Sequence, residues 1–321
     1  MKKEIEKVIR KIENTSSLEE LSGIPSGFLK LDKITDGFQS SNLIVIGARP
    51  SMGKTSFLSS TIRNIAVDFN RKVLLFSLEM STNQFINKMI SSETGFPVEK
   101  LRRGNLEPYE WEQLNVKINP LLSAPIFIED SPSLTIDEII NKAEKNITEN
   151  FVEIIFIDYI QLIGLVKPQR QNREEELSIV TKKLKHLSKK HQIPVIITSQ
   201  LNRSLETRGG SKRPLLFDFR DSGAIEDDSD IVMFLYRPEY YGITEWDDDL
   251  HLPCESQAEL IIAKNRFGVK ENIRLKFEEH ITKFSNLEEF GDSEFITSMN
   301  ASYSEDLIEP KDAFGADDVP F

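Results

Sequence analysis

Eight runs of apolar, largely β-branched residues divide the chain, at 42–47, 73–78, 125–129, 152–158, 193–199, 230–236, 258–263 and 272–277. Between the first five lie segments whose apolar residues recur every three or four positions: 54–69, 82–94, 107–119, 135–149 and 174–191. Short apolar runs mark strands, and the 3.6-residue period marks amphipathic helices. The stretches FVEIIFID and IPVIITS lack the alternation of a strand with one wet face, so both of their faces are covered. Alternating strands and helices predict an α/β fold with a mainly parallel sheet flanked by helices. The last strands follow one another without long helices, which predicts antiparallel strands added at one end of the sheet.

The two ends read differently. Ile5, Val8, Ile9 and Ile12 form one face of a helix over 3–13, and a Ser- and Gly-rich linker follows. That apolar stripe must be buried, against this chain or a neighbouring subunit. Residues 286–321 carry ten acids against Lys311 alone and few aliphatics, so they read as a disordered acidic tail. The predicted organisation is a linker helix and linker at 1–22, an α/β domain at 23–285, and the tail at 286–321.

The formal charge of −12 argues weakly against nucleic-acid binding until it is divided. Most of it belongs to the tail, which leaves the body near neutral and able to carry basic patches. Cys254 is the only cysteine, which excludes an intramolecular disulfide and fits a reducing compartment. The N-terminus has no signal-peptide pattern, and no run approaches the roughly 20 apolar residues of a membrane helix. A cytoplasmic protein without a membrane partner is expected. The four histidines form no metal-like cluster with Cys254.

The chemistry is concentrated in NLIVIGARPSMGKTSFL, where a strand ends at Gly47 and an apolar-periodic helix starts after Gly53-Lys54-Thr55. A loop in that setting aims its N–H groups, and the helix N-terminus behind them, at one spot that suits phosphate. The whole stretch Gly47, Ala48, Arg49, Pro50, Ser51, Met52, Gly53, Lys54, Thr55 and Ser56 is the predicted ATP-binding loop. Lys54 would reach the β- and γ-phosphates and Thr55 would ligate Mg²⁺. The motif wants glycine at its first position, yet counting back from Gly53 gives Ala48.

Other strand ends add candidates. VEIIFID ends in Asp158, where a Mg²⁺-associated carboxylate belongs in this fold class. VLLFSLE ends in Glu79, which could polarise the attacking water; its position fits a solvated strand-end carboxylate equally well. PVIITSQ ends in Gln200, whose amide could report nucleotide state or simply cap the strand. Ligands of open parallel sheets bind beyond the carboxyl ends of the strands, so these residues should converge. Arg203, Arg208, Lys212 and Arg213 in LNRSLETRGGSKR, and Arg220 in DFRDSGAIEDDSD, suit DNA or RNA phosphates or form solvated charged loops. The lysines of helix 174–191 read as a solvated face. Lys264 and Arg266 sit at the turn of a hairpin, solvated or reaching a neighbour's nucleotide.

GIPSGFLKLDKITDGF, LIVIGARPSMGKTSF, FSLEMS, IFIDYIQLI, ITSQLNR, FRDSGAIEDDSDIVMFLYRPEYY and AKNRFG occur in that order. Together they closely resemble the ATPase domain of the bacterial replicative DNA helicase (DnaB) family over roughly residues 1–285. The resemblance implies a RecA-like domain working as a homohexameric ring, with ATP and Mg²⁺ between subunits and single-stranded DNA drawn through the centre 5′→3′ at a replication fork. It implies Glu79 as catalytic base, Asp158 as metal-associated acid and Gln200 as sensor. Arg266, with Lys264 beside it, becomes the finger acting across the interface. Arg220, Asp221 and Gly223 match the strand-tracking loop, and helix 3–13 matches the helix that docks on the adjacent subunit.

Departures accompany it. The family's amino-terminal collar domain, which docks primase, is not represented. Phe219 and Asp221 stand where the family usually has Leu and Glu, and FGVKEN replaces a Gly-Pro turn after Arg266. The terminus, Asp317-Asp318-Val319-Pro320-Phe321, resembles the acidic tip by which single-stranded-DNA-binding proteins recruit replication proteins; an inert tail fits as well. Alternatives to a helicase are a RecA-like DNA-dependent ATPase without unwinding activity, and a regulatory subunit of a full-length ring.

Overall fold

Six parallel strands carry the phosphate loop and its neighbours, and three antiparallel strands extend the sheet on one side. A computed structural model describes residues 1, 21–165, 173–209, 212–219, 223–248 and 251–287. The strands are β1 (Leu43–Ala48), β2 (Val73–Ser77), β3 (Ile126–Glu129), β4 (Ile154–Asp158), β5 (Val195–Gln200), β6 (Ile231–Tyr236), β7 (Gln257–Asn265), β8 (Asn272–Glu278) and β9 (Lys283–Asn286). Their order across the sheet is β3-β2-β4-β5-β1-β6-β7-β8-β9. All neighbours from β3 through β6 are parallel, and β6 through β9 are antiparallel. The predicted α/β architecture with antiparallel strands at one end is the observed one.

The alternation inside each apolar run explains how two layers of helix attach. On β1 and β4, Ile44, Ile46, Ile154 and Phe156 face a core with Phe28, Phe57 and Ile62. Leu43, Val45, Ile155 and Ile157 face the opposite core with Ile136, Ile139, Leu177, Val180 and Leu184. Helices Lys54–Arg63 and Thr82–Thr94 therefore cover one face, and Ile136–Asn150 and Arg173–His191 the other. Each fully buried Leu, Ile or Phe contributes on the order of 1.5–3 kcal/mol, so both faces are obligatory core.

Helix starts follow local chemistry. Ser81 and Thr135 each close a reciprocal capping box with the side chain three residues on, Gln84 and Glu138. The predicted helix at 107–119 is Pro108–Lys117 followed by a separate short helix, Asn119–Ser123, with Pro120 in its first turn. Strand β9 was not predicted, because KFSN carries one apolar residue. That residue, Phe284, packs against Phe57 and Phe277 at ring-centroid distances of 5.6 and 4.4 Å. Among the described residues no helix is long and apolar enough to cross a membrane. The predicted helix at 3–13 and tail residues 288–321 lie outside the described residues.

Candidate nucleotide site

The phosphate loop begins where β1 runs out. Gly53, with φ of +89°, caps helix Lys54–Arg63, and Ser51 is also in the left-handed region. A Cβ on Gly53 would stand 3.1 Å from the Phe284 ring, so glycine answers both backbone and packing there. Gly47 has a different reason to be glycine: a Cβ would approach Phe234 and Phe219 to 2.8 and 2.9 Å. Ala48 is still strand, paired with Gln200 in the β1–β5 register, and its φ is not positive. The motif's first position therefore needs no glycine in this chain.

Parallel strand ends bring the other groups to the loop. Arg49, Pro50, Ser51, Gly53, Lys54, Thr55, Ser56, Glu79, Lys88 and Gln200 line one cleft of about 340 Å³. Asp158, nearly fully buried, accepts hydrogen bonds from Thr55 Oγ1 at 2.7 Å and Thr198 Oγ1 at 2.5 Å. A hydroxyl and a carboxylate held together at a phosphate loop are the oxygen donors Mg²⁺ takes alongside substrate phosphates. Among the described residues no group of three His, Cys, Asp or Glu side chains forms an all-protein metal cage. Glu79 is exposed to the cleft just beyond β2, and the Leu78 N–H donates to the Asp158 carbonyl, which ties its segment to β4.

Two lysines face the two acids of the cleft. Burial lowers the Lys54 pKa below its ordinary value, with the charges of Asp158 and Glu79 opposing the shift. Its Nζ stands 4.5 Å from the centre of the Tyr159 ring. Lys88 is shifted down by the same burial and opposed by the same two acids, and it stands 3.4 Å from Ser56 Oγ. Sequence reasoning missed Lys88. The signal was available: Phe85, Met89 and Ser92 are the buried stripe of helix Thr82–Thr94, and Lys88 interrupts it. Gln161 was missed too. It brackets the candidate sensor, accepting from the Gln200 N–H at 3.2 Å and donating to Ser199 Oγ at 2.8 Å and the Gln200 carbonyl at 3.2 Å.

The basic residues separate into different environments. Arg203 is exposed on the loop after β5. Arg208 pairs with buried Asp218 at 3.1 Å, and Lys212 Nζ donates to the carbonyls of Glu206 and Arg208. Arg213 departs most from a solvated DNA loop. Its guanidinium bonds Glu259 and Asp247 and lies over Tyr236 and Trp246, so its charge is committed within the chain. Arg220 and Asp221 lie outside the described residues; Gly223 opens helix Gly223–Asp228.

Arg266 and Lys264 are not brought to the chain's own phosphate loop. Asn265 pairs with Ile231 at the start of β6, whereas the loop follows the far end of β1, whose Gly47 pairs with Phe234. Arg266 is therefore at the opposite edge of the parallel strands, donating to the Asp227 carbonyl at 2.5 Å, with Asp230 at 3.5 Å. Lys264 donates to the Glu226 carbonyl.

The chain is similar to known proteins over most of its length. Residues 23–286 match the model of the DnaB-like helicase C-terminal domain. The replicative DNA helicase DnaB of Geobacillus stearothermophilus is 41% identical over 269 residues, 84% of this chain and 58% of that protein. The replicative DNA helicase DnaC of Bacillus subtilis (strain 168) is 39% identical over the same shares of the two chains. The chain thus spans about three-fifths of the length of the curated relatives it matches. A solved ATPase domain superposes with a TM-score of 0.79 at 33% identity, covering 88% of this chain and 98% of that one. A solved DnaB-like replicative helicase, described with its interactions with primase, superposes with a TM-score of 0.78 at 32% identity, covering 90% and 67%.

Proposed function

The chain belongs to the DnaB-like helicase C-terminal domain family, and on that premise we propose that it is the ATP-driven motor of a ring-forming DNA helicase, translocating 5′→3′ on single-stranded DNA. The observation that supports this most directly is the split between the two edges of the sheet. Lys54, Thr55, Asp158, Glu79 and Gln200 converge at one edge, while Arg266 projects from the other. A strand of six residues is about 20 Å long, too far for Arg266 to serve its own loop. A second subunit, stacked head to tail, brings one edge to the other, and repetition of that contact closes a ring. A homohexamer is the ring the family implies.

The phosphate-loop amides and Lys54 hold the β- and γ-phosphates. Thr55 and Asp158 would hold Mg²⁺, which offsets phosphate charge when bound. Phosphoryl transfer has a loose transition state, so catalysis is positioning and electrostatics. Glu79 orients the attacking water and accepts its proton. Lys88, Gln200 and the neighbour's Arg266 and Lys264 face the γ-phosphate as its charge spreads over three oxygens. Exposed Arg203, the loop bearing Arg208 and Lys212, and Arg220 contact DNA phosphates, and Asp221 and Gly223 complete the strand-tracking loop. The tip Asp317-Asp318-Val319-Pro320-Phe321 offers an apolar end with acids to a replication partner. A soluble, cytoplasmic setting at the fork suits every part.

The test is turnover and unwinding on a forked duplex. Glu79→Gln should retain ATP binding and lose about 10²–10⁴-fold in turnover. Parental turnover by Glu79→Gln would refute the base assignment. DNA-stimulated ATPase without strand separation on any fork would replace the helicase reading with a translocase.

A further inference from the structure

Arg49 sits inside the phosphate loop but does not spend its charge on the nucleotide cleft. Its side chain is 4% exposed. Nη1 donates to the Leu201 carbonyl at 2.7 Å, and Nε and Nη2 both donate to Glu206 Oε1 at 2.9 and 2.8 Å. All three guanidinium nitrogens are thereby committed to the segment after β5. Arg49, with Gln200, lines both the nucleotide cleft and a second cavity that includes Gln161, Arg203 and Asp218.

Glu206 belongs to a single helical turn, Ser204–Thr207, set among the basic residues. Arg203 precedes that turn and Arg208 follows it. Arg208 pairs with Asp218, whose carboxylate also accepts the Leu215 N–H at 2.8 Å and whose carbonyl accepts the Asn202 N–H at 3.1 Å. The segment from 201 to 219 is therefore tied to itself at Asp218 and to the phosphate loop at Glu206. Arg49 is buried and Glu206 is 39% exposed, and a charge-assisted pair with two N–H donors on one carboxylate oxygen is stronger and more directional than a neutral bond. The turn packs one side chain, Leu205, into the core and leaves Ser204, Glu206 and Thr207 exposed, and a segment with so few anchoring contacts shifts when a ligand pulls on it.

We propose that the Arg49–Glu206 pair is the link through which DNA on the basic segment sets the geometry of the phosphate loop. Glu206 is a positioning residue, acting through Arg49. The inference rests on the reading that this segment binds DNA phosphates. Displacement of the turn moves Arg49, which stands next to Pro50 and two residues before Ser51, whose φ is +67°. A loop held in such a conformation has few ways to absorb that motion except by shifting its amides.

Glu206→Ala and Glu206→Gln, assembled as the full chain, test this. ATP turnover is measured with and without single-stranded DNA, alongside DNA affinity and binding of a fluorescent ATP analogue. Basal turnover and both affinities should stay within about twofold, while DNA stimulation falls at least about fivefold in Glu206→Ala and less in Glu206→Gln, which keeps an acceptor oxygen. A role confined to folding would lower turnover and affinities together. Parental stimulation in Glu206→Ala overturns the proposal. Hydrogen exchange supplies a readout that needs no DNA. ATPγS should slow amide exchange over 204–209 in the parent and not in Glu206→Ala, and an equal response in both overturns the link. If the parent itself binds no DNA, the DNA-binding reading fails, and the exchange experiment still decides whether nucleotide and segment are coupled through Glu206.

Discussion

Replacing Arg213 decides between its expected place on DNA and its observed place within the fold. Its side chain is 22% exposed and bonds Glu259, which is 4% exposed, and Asp247, which is 61% exposed. Burial disfavours its charge, but hydrogen bonds and charges from Glu259 and Asp247 outweigh that and raise its pKa. Arg213→Met keeps an apolar stem against Tyr236 and Trp246 and removes the cation. Glu259 would then be a buried carboxylate that has lost its guanidinium partner, and Arg274, its neighbour in the β7–β8 register, already bonds Asp248. Breaking a buried pair costs about 3–5 kcal/mol, and the exposed Asp247 arm adds at most about 1. Partial exposure of Arg213 and the nearness of Arg274 favour the lower end, about 3 kcal/mol. For a domain of this size that lowers Tm by roughly 6–12 °C. Thermal unfolding measures it, and Arg213→Met combined with Glu259→Gln should recover most of the loss. Single-stranded-DNA affinity across a salt series is the second assay, because losing one phosphate contact reduces the slope by about 0.7. An unchanged Tm with a shallower salt slope would refute the structural assignment and return Arg213 to the DNA.

Three further outcomes follow from the geometry. Arg266→Ala subunits and Lys54→Ala subunits, each inactive alone, should regain part of their ATPase when mixed, since some interfaces then carry both intact residues; no recovery in mixed rings proven by native mass would count against action in trans. Phosphate favours charged lysine, and the free protein's Lys54 and Lys88 titrate below the ordinary 10.5. Nucleotide affinity should therefore weaken as pH rises through those lowered pKa values, with proton uptake on binding seen by calorimetry in buffers of different ionisation enthalpy; a flat affinity and no uptake up to pH 10 would contradict the shift. Gly47→Ala should destabilise by about 1–3 kcal/mol through its approach to Phe234 and Phe219, whereas Ala48→Gly should cost no more than about 1, measured by denaturant unfolding. Equal tolerance of the two would mean the Gly47 contact relaxes freely.

The chain's own pattern determined the sheet and the strand-end chemistry. Doubly buried strands must be continuously apolar, and a polar residue ending such a run can only stand at the sheet's rim, which is how Asp158, Glu79 and Gln200 were legible beside Lys54 and Thr55. Spacing along a chain carries no information about side chains that meet from distant segments. That Lys88 enters the cleft, that Gln161 brackets Gln200, that Arg49 turns to Glu206 and that Arg213 closes on Glu259 were decided by tertiary packing. The same limit applied to KFSN, a strand only because Phe284 finds Phe57 and Phe277. A basic residue reads alike in sequence whether it faces solvent, DNA or a buried carboxylate. Burying the carboxylate is what commits the cation, and burial is a property of the folded chain.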